Sequence, residues 1–351
     1  MKIGLLTSGG DCQGLNAVLR GVAKSLYSCV SDLELYGIID GYYGLIMGEW
    51  RRMKSEEFSG ILRMGGTILG TSRQPFKEMQ VQDGNNQDKL SKMLKNYKEF
   101  GFDALVILGG NGTHKSAHLL SENGVNVVTL PKTIDNDVYG TDVSFGFDSA
   151  VEKATSVIDA IHTTAAAHGR VFVIELMGHK VGWITLHAGI AGGADVILIP
   201  EIPYSHEKVL EAIERRNKTG KNFSIVAIAE GAMTKEEASL PKKERDSDGL
   251  TVGTRLARIL SKRLDQDVRA VIPGHFQRGG DPTPYDRLLC SRLGAKAGEL
   301  VSSKKFGYMV AVRGDSIVEV PLSEIAGKTK NIPTDSQIVK HVELLGISLG
   351  I

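Results

Sequence analysis

Short apolar runs rich in β-branched residues recur along the chain, and between them apolar positions return every three to four residues. The runs Lys2–Leu6, Leu33–Ile39, Ala104–Leu108, Val125–Leu130, Val171–Leu176, Val196–Ile199, Phe223–Ala229 and Ala270–Ile272 predict strands. Val151, Ala154, Ile158 and Ile161 mark the clearest helix between them, and Leu256, Leu260 and Leu264 mark another. Strands that are apolar throughout and separated by helices predict an α/β fold with parallel sheets covered on both faces. One stretch departs from this pattern. Met309–Val312 is turned by Arg313-Gly314-Asp315 into Ile317–Val320, which predicts a hairpin. No short-period repeat or low-complexity run is present, and composition marks no linker.

Composition narrows the setting. A chain of 351 residues predicts one large or two medium domains. A formal charge of +1 gives no reason to expect a nucleic-acid or anionic-membrane partner. No stretch reaches the roughly 20 apolar residues of a membrane span, and no signal-peptide core follows Met1. Cys12, Cys29 and Cys290 show neither paired nor metal-ligand spacing, so free thiols and a cytoplasmic location are expected.

The glycines carry more information by position than by number. Strand Lys2–Leu6 runs into Thr7-Ser8-Gly9-Gly10-Asp11-Cys12-Gln13-Gly14 and then a helical pattern; Ala104–Leu108 runs into Gly109-Gly110-Asn111-Gly112-Thr113 and another. At such junctions bare backbone N–H groups and a helix N-terminus make an anion site. Neither loop has Walker or G-x-G-x-x-G spacing. A third strand end, after Leu130, delivers Pro131-Lys132-Thr133-Ile134-Asp135-Asn136-Asp137. One such loop reads as a plain turn, since Pro, Asn, Asp and Gly all favour turns. Three of them fall outside the carboxyl ends of parallel strands, where doubly wound folds bind ligands. Phosphate cradles beside carboxylates that can hold Mg²⁺ or take a hydroxyl proton describe phosphoryl transfer.

The segments TSGGDCQGLNA, GGTILGTSR, GGNGT, PKTIDND, VFVIELMGHKVGW, AIAEG and VIPGHFQRGGDPTPYDR, in this order, resemble the bacterial-type 6-phosphofructokinases over most of the chain. The resemblance implies two αβα sandwich domains with mostly parallel sheets and an active site in the cleft between them. Residues 1–146 with 278–327 would form the phosphate-donor (ATP and Mg²⁺) domain, and 147–277 with 328–351 the sugar-phosphate domain. It implies a kinase that moves the γ-phosphoryl of ATP to the 1-hydroxyl of fructose 6-phosphate, in a homotetramer or homodimer with shared sites.

Carried over by position, Asp135 is the base, with Thr133 and Arg73 as further catalytic groups. Gly10, Arg73, Gly110, Asn111, Gly112, Thr113 and Lys132 line the donor side, and Asn111 with Asp137 would hold Mg²⁺. The sugar-phosphate side comprises Thr133, Asp135, Asp137, Arg170, Met177, Gly178, His179, Glu230, Arg269, His275 and Arg278. In the family, Arg170 and Arg269 reach into a neighbouring subunit's site. Arginine forks suit a phosphate dianion, although a lone arginine is more often a surface ion pair.

Three departures from the family pattern stand out. Asn111 replaces an acid, His114-Lys115-Ser116 replaces small residues, and His179 replaces an arginine. Donor choice turns on Gly112 and Lys132. Pyrophosphate enzymes of the family carry Asp at the position of Gly112, so the open glycine favours ATP, while Lys132 is the pyrophosphate-type residue. The alternatives are pyrophosphate as donor, a catalytically weak sugar-phosphate-binding paralogue suggested by Asn111, and a dehydrogenase, which the loop spacing disfavours. Arg20, Lys24, Asp195 and Lys221 fall where the family has an effector site and read equally as surface charges.

Overall fold

In the computed structural model, which describes residues 1–82, 84, 87–241 and 248–351, β1 (Lys2–Thr7) is buried from Ile3 onward. Burial on both faces is why the strand is apolar at successive positions, not alternate ones. The chain continues through α1 (Leu15–Cys29), β2 (Glu34–Ile38), α2 (Tyr42–Met47), β3 (Trp50–Met53), α3 (Lys89–Phe100), β4 (Ala104–Gly109), α4 (Asn111–Glu122) and β5 (Val127–Pro131). Far along the sequence, β10 (Tyr308–Arg313) and β11 (Ser316–Pro321) complete the same sheet, in the order β11-β10-β5-β4-β1-β2-β3. The five strands from β10 to β2 run parallel, and β11 and β3 are antiparallel edges.

The predicted hairpin forms with a two-residue turn, Gly314 taking φ +53°. Strand β3 has no counterpart among the predicted strands. Its four residues, Trp50-Arg51-Arg52-Met53, are too few to set a pattern, and its central arginines are exposed, as edge strands tolerate.

The second unit holds β6 (Val171–Leu176), β7 (Val196–Leu198), β8 (Ser224–Ala229) and β9 (Val268–Val271), all parallel, in the order β7-β8-β6-β9. Its helices include α5 (Phe147–His168), α6 (Trp183–Ala191), α7 (His206–Lys218) and Val252–Ser261. Leu264, the third leucine of that last predicted helix, lies past its end but still packs against the core. Contacts divide the chain into Met1–Ser149 with Arg278–Lys330, and Ala150–Gln277 with Asn331–Ile351. Each unit is therefore discontinuous, and α5 starts in the first and continues in the second.

In the first unit α1 packs closely along the helix Pro284–Ser302 where Gly21 meets Gly294. A Cβ placed on Gly294 would lie 2.7 Å from the Val22 nitrogen and 2.8 Å from the Gly21 Cα and the Val18 carbonyl oxygen. These are backbone atoms, which cannot step aside. Helix propensity alone predicts that Gly294→Ala stabilises by about 1 kcal/mol. Overpacking costs about 1–3 kcal/mol, so we expect Gly294→Ala to lower stability in chemical denaturation. A rise would show that the two helices have slack.

Candidate active site

Strands β1, β4 and β5 are adjacent, parallel and level at their carboxyl ends: Thr7 pairs with Leu108, Leu108 with Leu130, and Gly109 with Pro131. Three loops therefore leave the sheet side by side. The strand order reverses between β1 and β4, where open parallel sheets place ligands. Both helices that follow have a glycine N-cap, Gly14 for α1 and Gly110 for α4, with no side chain to bond the first turn. First-turn amides that no side chain caps are suited to an anion. Tyr42, buried, donates its hydroxyl to the Thr113 carbonyl at 2.9 Å and braces α4 from below.

Cations converge on the first loop. Gly9 has φ +87°, which favours glycine, and its nitrogen donates to the Ser72 carbonyl at 3.0 Å. The buried Lys132 ammonium donates to the Gly10 carbonyl. Arg278 Nη1 donates to the Asp11 carbonyl at 2.9 Å. A Cβ on Gly10 would meet Arg278 Nη1 at 3.3 Å and Arg73 Nη2 at 3.4 Å, so any other residue would crowd both guanidinium groups. Burial pushes the Lys132 pKa down and Arg278 adds to this, while Cys12, Asp135 and Asp11 oppose it. His114, in the first turn of α4, is held at about 3 by burial and by Lys132, so the imidazole is neutral; its Nδ1 lies 3.0 Å from Thr129 Oγ1.

The aspartate loop is held from several sides. Thr133 Oγ1 accepts the Asp135 N–H at 3.0 Å, and the Thr133 carbonyl accepts from Ser144 Oγ at 2.8 Å. Asn136, at φ +52°, accepts from Ser144 N at 3.0 Å and Lys330 Nζ at 2.8 Å through one side-chain oxygen. Asn111 Nδ2 donates to Asp137 Oδ2 at 2.8 Å and to its carbonyl at 3.1 Å. The two residues assigned to Mg²⁺ are thus neighbours. Among the described residues no group of three or more His, Cys, Asp or Glu side chains could hold a metal ion by itself. One carboxylate and one amide are hard oxygen donors that suit an Mg²⁺ sharing its coordination with substrate phosphates.

In the second unit, Met177, Gly178 and His179 follow β6 and Glu230 follows β8, so they share the carboxyl edge of that sheet. Glu230 Oε1 accepts from His179 N at 2.7 Å and Gly178 N at 3.2 Å. His179 and Glu230 line a cavity of about 760 Å³ that also reaches Lys180, Glu201 and Arg255. Arg170 and Arg269 lie at the amino edge, where Asp267 binds both, at 2.9 Å and 3.0 Å. The six residues of β6 separate the two edges by about 20 Å. The exposed His275 lies in the 3₁₀ turn Gly274–Arg278, which follows the carboxyl end of β9. Asp195, one of the residues that read equally as surface charges, is engaged by Arg216 at 2.7 Å.

A model of the phosphofructokinase family matches residues 2–301. The chain belongs to the phosphofructokinase family. An ATP-dependent 6-phosphofructokinase of Spirochaeta thermophila is 48% identical over 357 residues, covering 99% of this chain and 97% of that protein. The crystal structure of Pichia pastoris phosphofructokinase in the T-state superposes with a TM-score of 0.79 at 31% identity. That match takes in 93% of this chain and 35% of the Pichia chain, so this chain spans about a third of it. The pyrophosphate-dependent phosphofructokinase of Nitrosospira multiformis gives a TM-score of 0.84 at 19% identity, over 99% of this chain and 92% of that one, a likeness of fold alone.

Two side chains that support these loops escape sequence reasoning, Lys330 and Asp286, because both lie far along the chain from the residues they hold. No local pattern announces either. Asp286, fully buried, accepts from Gly146 N at 3.1 Å, Ser149 N at 2.9 Å and Ser149 Oγ at 2.6 Å, which anchors the start of α5. Burial outweighs these donors and raises its pKa from 3.8 to about 6. Between those values the folded state holds a proton that the unfolded chain has released. The stability from this group is therefore full below pH 3.8 and is lost as pH rises through about 6. The shift corresponds to about 3 kcal/mol. The stability difference between wild type and Asp286→Asn should move by that order in favour of the variant between pH 4 and 7, followed by denaturant titration. A difference that does not vary with pH would show that Asp286 titrates normally.

Proposed function

We propose that the chain is an ATP-dependent 6-phosphofructokinase, transferring the γ-phosphoryl group of ATP to the 1-hydroxyl of fructose 6-phosphate. The observation that carries this reading is the alignment of three loops on β1, β4 and β5, with Lys132 tied to Gly10 and Asn111 tied to Asp137. Gly10, Gly110 and the first turn of α4 receive the donor phosphates on backbone amides. Arg73, Lys132 and Arg278 offset charge on the donor oxygens, most strongly as it redistributes in the transition state. Arg278 belongs by family pattern with the sugar-phosphate groups, and its bond to Asp11 gives it a place at the donor loop as well.

Asp135 takes the proton of the 1-hydroxyl as that oxygen bonds to the γ-phosphorus and ADP leaves. Thr133 Oγ1 already accepts the Asp135 amide, so its own hydrogen is directed elsewhere, to the phosphoryl group or the sugar. Asp137 and Asn111 would hold Mg²⁺, which when bound supplies positive charge to the donor phosphates. Met177, Gly178, His179 and Glu230 would receive the sugar ring. We place the protein in the cytoplasm; among the described residues no helix is long and apolar enough to cross a membrane.

Self-association belongs to the same reading. One copy keeps Arg170 and Arg269 about 20 Å from Met177 and Glu230, too far to share one sugar phosphate. A second copy would supply the arginines. Asp135→Ala should cut kcat by about 10²–10⁴-fold with sugar-phosphate binding retained. Arg170→Ala should instead raise the KM for fructose 6-phosphate, and mixed Asp135→Ala and Arg170→Ala subunits should regain activity. Failure of every mixture to do so would count against shared sites, and near-normal turnover of Asp135→Ala against its role as base.

Pyrophosphate is the competing donor, and Lys132 at the Gly10 carbonyl is the feature that favours it. Gly112 decides the matter sterically. It is exposed, and a Cβ built there meets nothing within 4 Å. Aspartate would fit without strain, and an acid in a helix's first turn is well placed. Two like charges about 4 Å apart at an effective dielectric near 20 repel by roughly 4 kcal/mol, on the order of 10²–10³-fold in affinity. Gly112→Asp should therefore depress kcat/KM for ATP and spare pyrophosphate, measured at saturating fructose 6-phosphate. Full ATP activity in the variant, or a wild-type preference for pyrophosphate, would overturn ATP as the donor.

A further inference from the structure

We propose that Lys330 is a positioning residue for the two aspartates of phosphoryl transfer, an inference that rests on the kinase reading of that loop. Residues Lys132–Val138 have no regular secondary structure beyond isolated bridges at Lys132 and Val138, so side chains must set their shape. Asn136 sits between Asp135 and Asp137 with φ +52°, a conformation that costs a non-glycine residue about 1 kcal/mol or more unless neighbours impose it. Its side-chain oxygen is the anchor, and the donors to it are Ser144 N and the Lys330 ammonium.

Lys330 lies 194 residues further along the chain and grips the loop by both backbone and side chain. Its nitrogen donates to the Asp137 carbonyl at 2.8 Å, and Thr329 bridges Val138 in antiparallel fashion. Its ammonium also donates to the Thr141 carbonyl at 3.0 Å and the Asp142 carbonyl at 2.8 Å. One cation therefore ties Asn136 to the segment Thr141–Asp142 that closes the loop. Asn111 holds Asp137 through its side chain, and Lys330 holds it through its backbone.

The consequence for catalysis follows from chain geometry. Asp135 and Asp137 flank Asn136, so any relaxation of Asn136 out of the left-handed region re-aims both carboxylates together. A misplacement of about 1 Å at a reacting group can cost on the order of 10²-fold in rate. An apolar side chain at 330 could fill the space but could not donate to three oxygens. Arginine, with five donors and a permanent charge, could replace part of the clamp.

The test uses Lys330→Met, Lys330→Arg, Asn136→Gly and the Lys330→Met/Asn136→Gly double variant in the full chain. Lys330→Met should lower kcat by about 10–100-fold with the KM for donor and sugar phosphate changed less than about threefold. Lys330→Arg should recover most of that loss. Because the two residues share the Lys330–Asn136 hydrogen bond, the loss in the double variant should fall short of the product of the two single losses. Amide hydrogen exchange read over residues 136–144 should quicken in Lys330→Met, a readout that needs no turnover. Unchanged exchange and unchanged kcat in Lys330→Met would overturn the inference while leaving the kinase reading intact, as would additive losses in the double variant or a loss confined to KM. Absence of fructose 6-phosphate phosphorylation by wild type with either donor would sink the kinase reading instead. If Lys330→Met does not fold, Asn136→Gly against Lys330→Arg carries the comparison: both must retain KM and differ in kcat, and equal kcat would overturn the inference.

Discussion

Register between three strands is the constraint from which the site follows. Parallel pairing sets Thr7, Leu108 and Leu130 level across β1, β4 and β5, so the loops after them start from one line. A slip of one residue in any pair would turn the strand's side chains over and carry its loop out of reach of the others. The core resists that slip because both faces of these strands are buried. Packing thus sets the geometry of these loops from a distance. Apolar residues that never touch a substrate decide where Gly10, Asn111 and Asp135 stand relative to one another.

Charge is distributed with the same economy. Lys132, Arg73 and Arg278 surround a glycine loop that offers no side chain of its own at Gly10, leaving room beside its backbone. His114, close by, is kept neutral by burial and by Lys132, so it adds no further positive charge. Neutral Asn111 reduces the negative charge beside Asp137. A donor phosphate arriving here would meet a field that is strongly positive on one side and carries carboxylates on the other. Such a division suits a reaction that must bind polyanions and also remove a proton.

Much of this was legible in the chain because the signals were local. Apolar runs of five to seven residues predicted the central strands, whose ends differ by only a residue or two from those expected, and glycine clusters marked the loops between β1 and α1 and between β4 and α4. The hairpin at Gly314 declared itself by its turn residue. What stayed hidden was non-local or very short. Trp50–Met53 is a four-residue edge whose exposed arginines dilute its pattern. Asp286 and Lys330 work through loops 137 and 194 residues away, and no periodicity encodes such a partnership. Family resemblance supplied residue roles, but it could not reveal that Asp267 ties Arg170 and Arg269 together at the far edge of their sheet.

The interleaving of the two units bears on synthesis. Strand β5 and the aspartate loop emerge early, yet β10, which covers the edge of β5, and Lys330, which grips the loop, follow only after most of the second unit has been made. About 180 residues intervene, or roughly 10–40 s of elongation at ordinary rates of about 5–20 residues per second. Throughout that interval the nascent first unit carries an open, apolar parallel edge. The second unit has an easier course, since its four strands arrive together within Ala150–Gln277. A ribosome that stalls or terminates between those two points would release a chain with its reactive carboxylates in place and nothing to fasten them, and with a sticky margin for other chains to find.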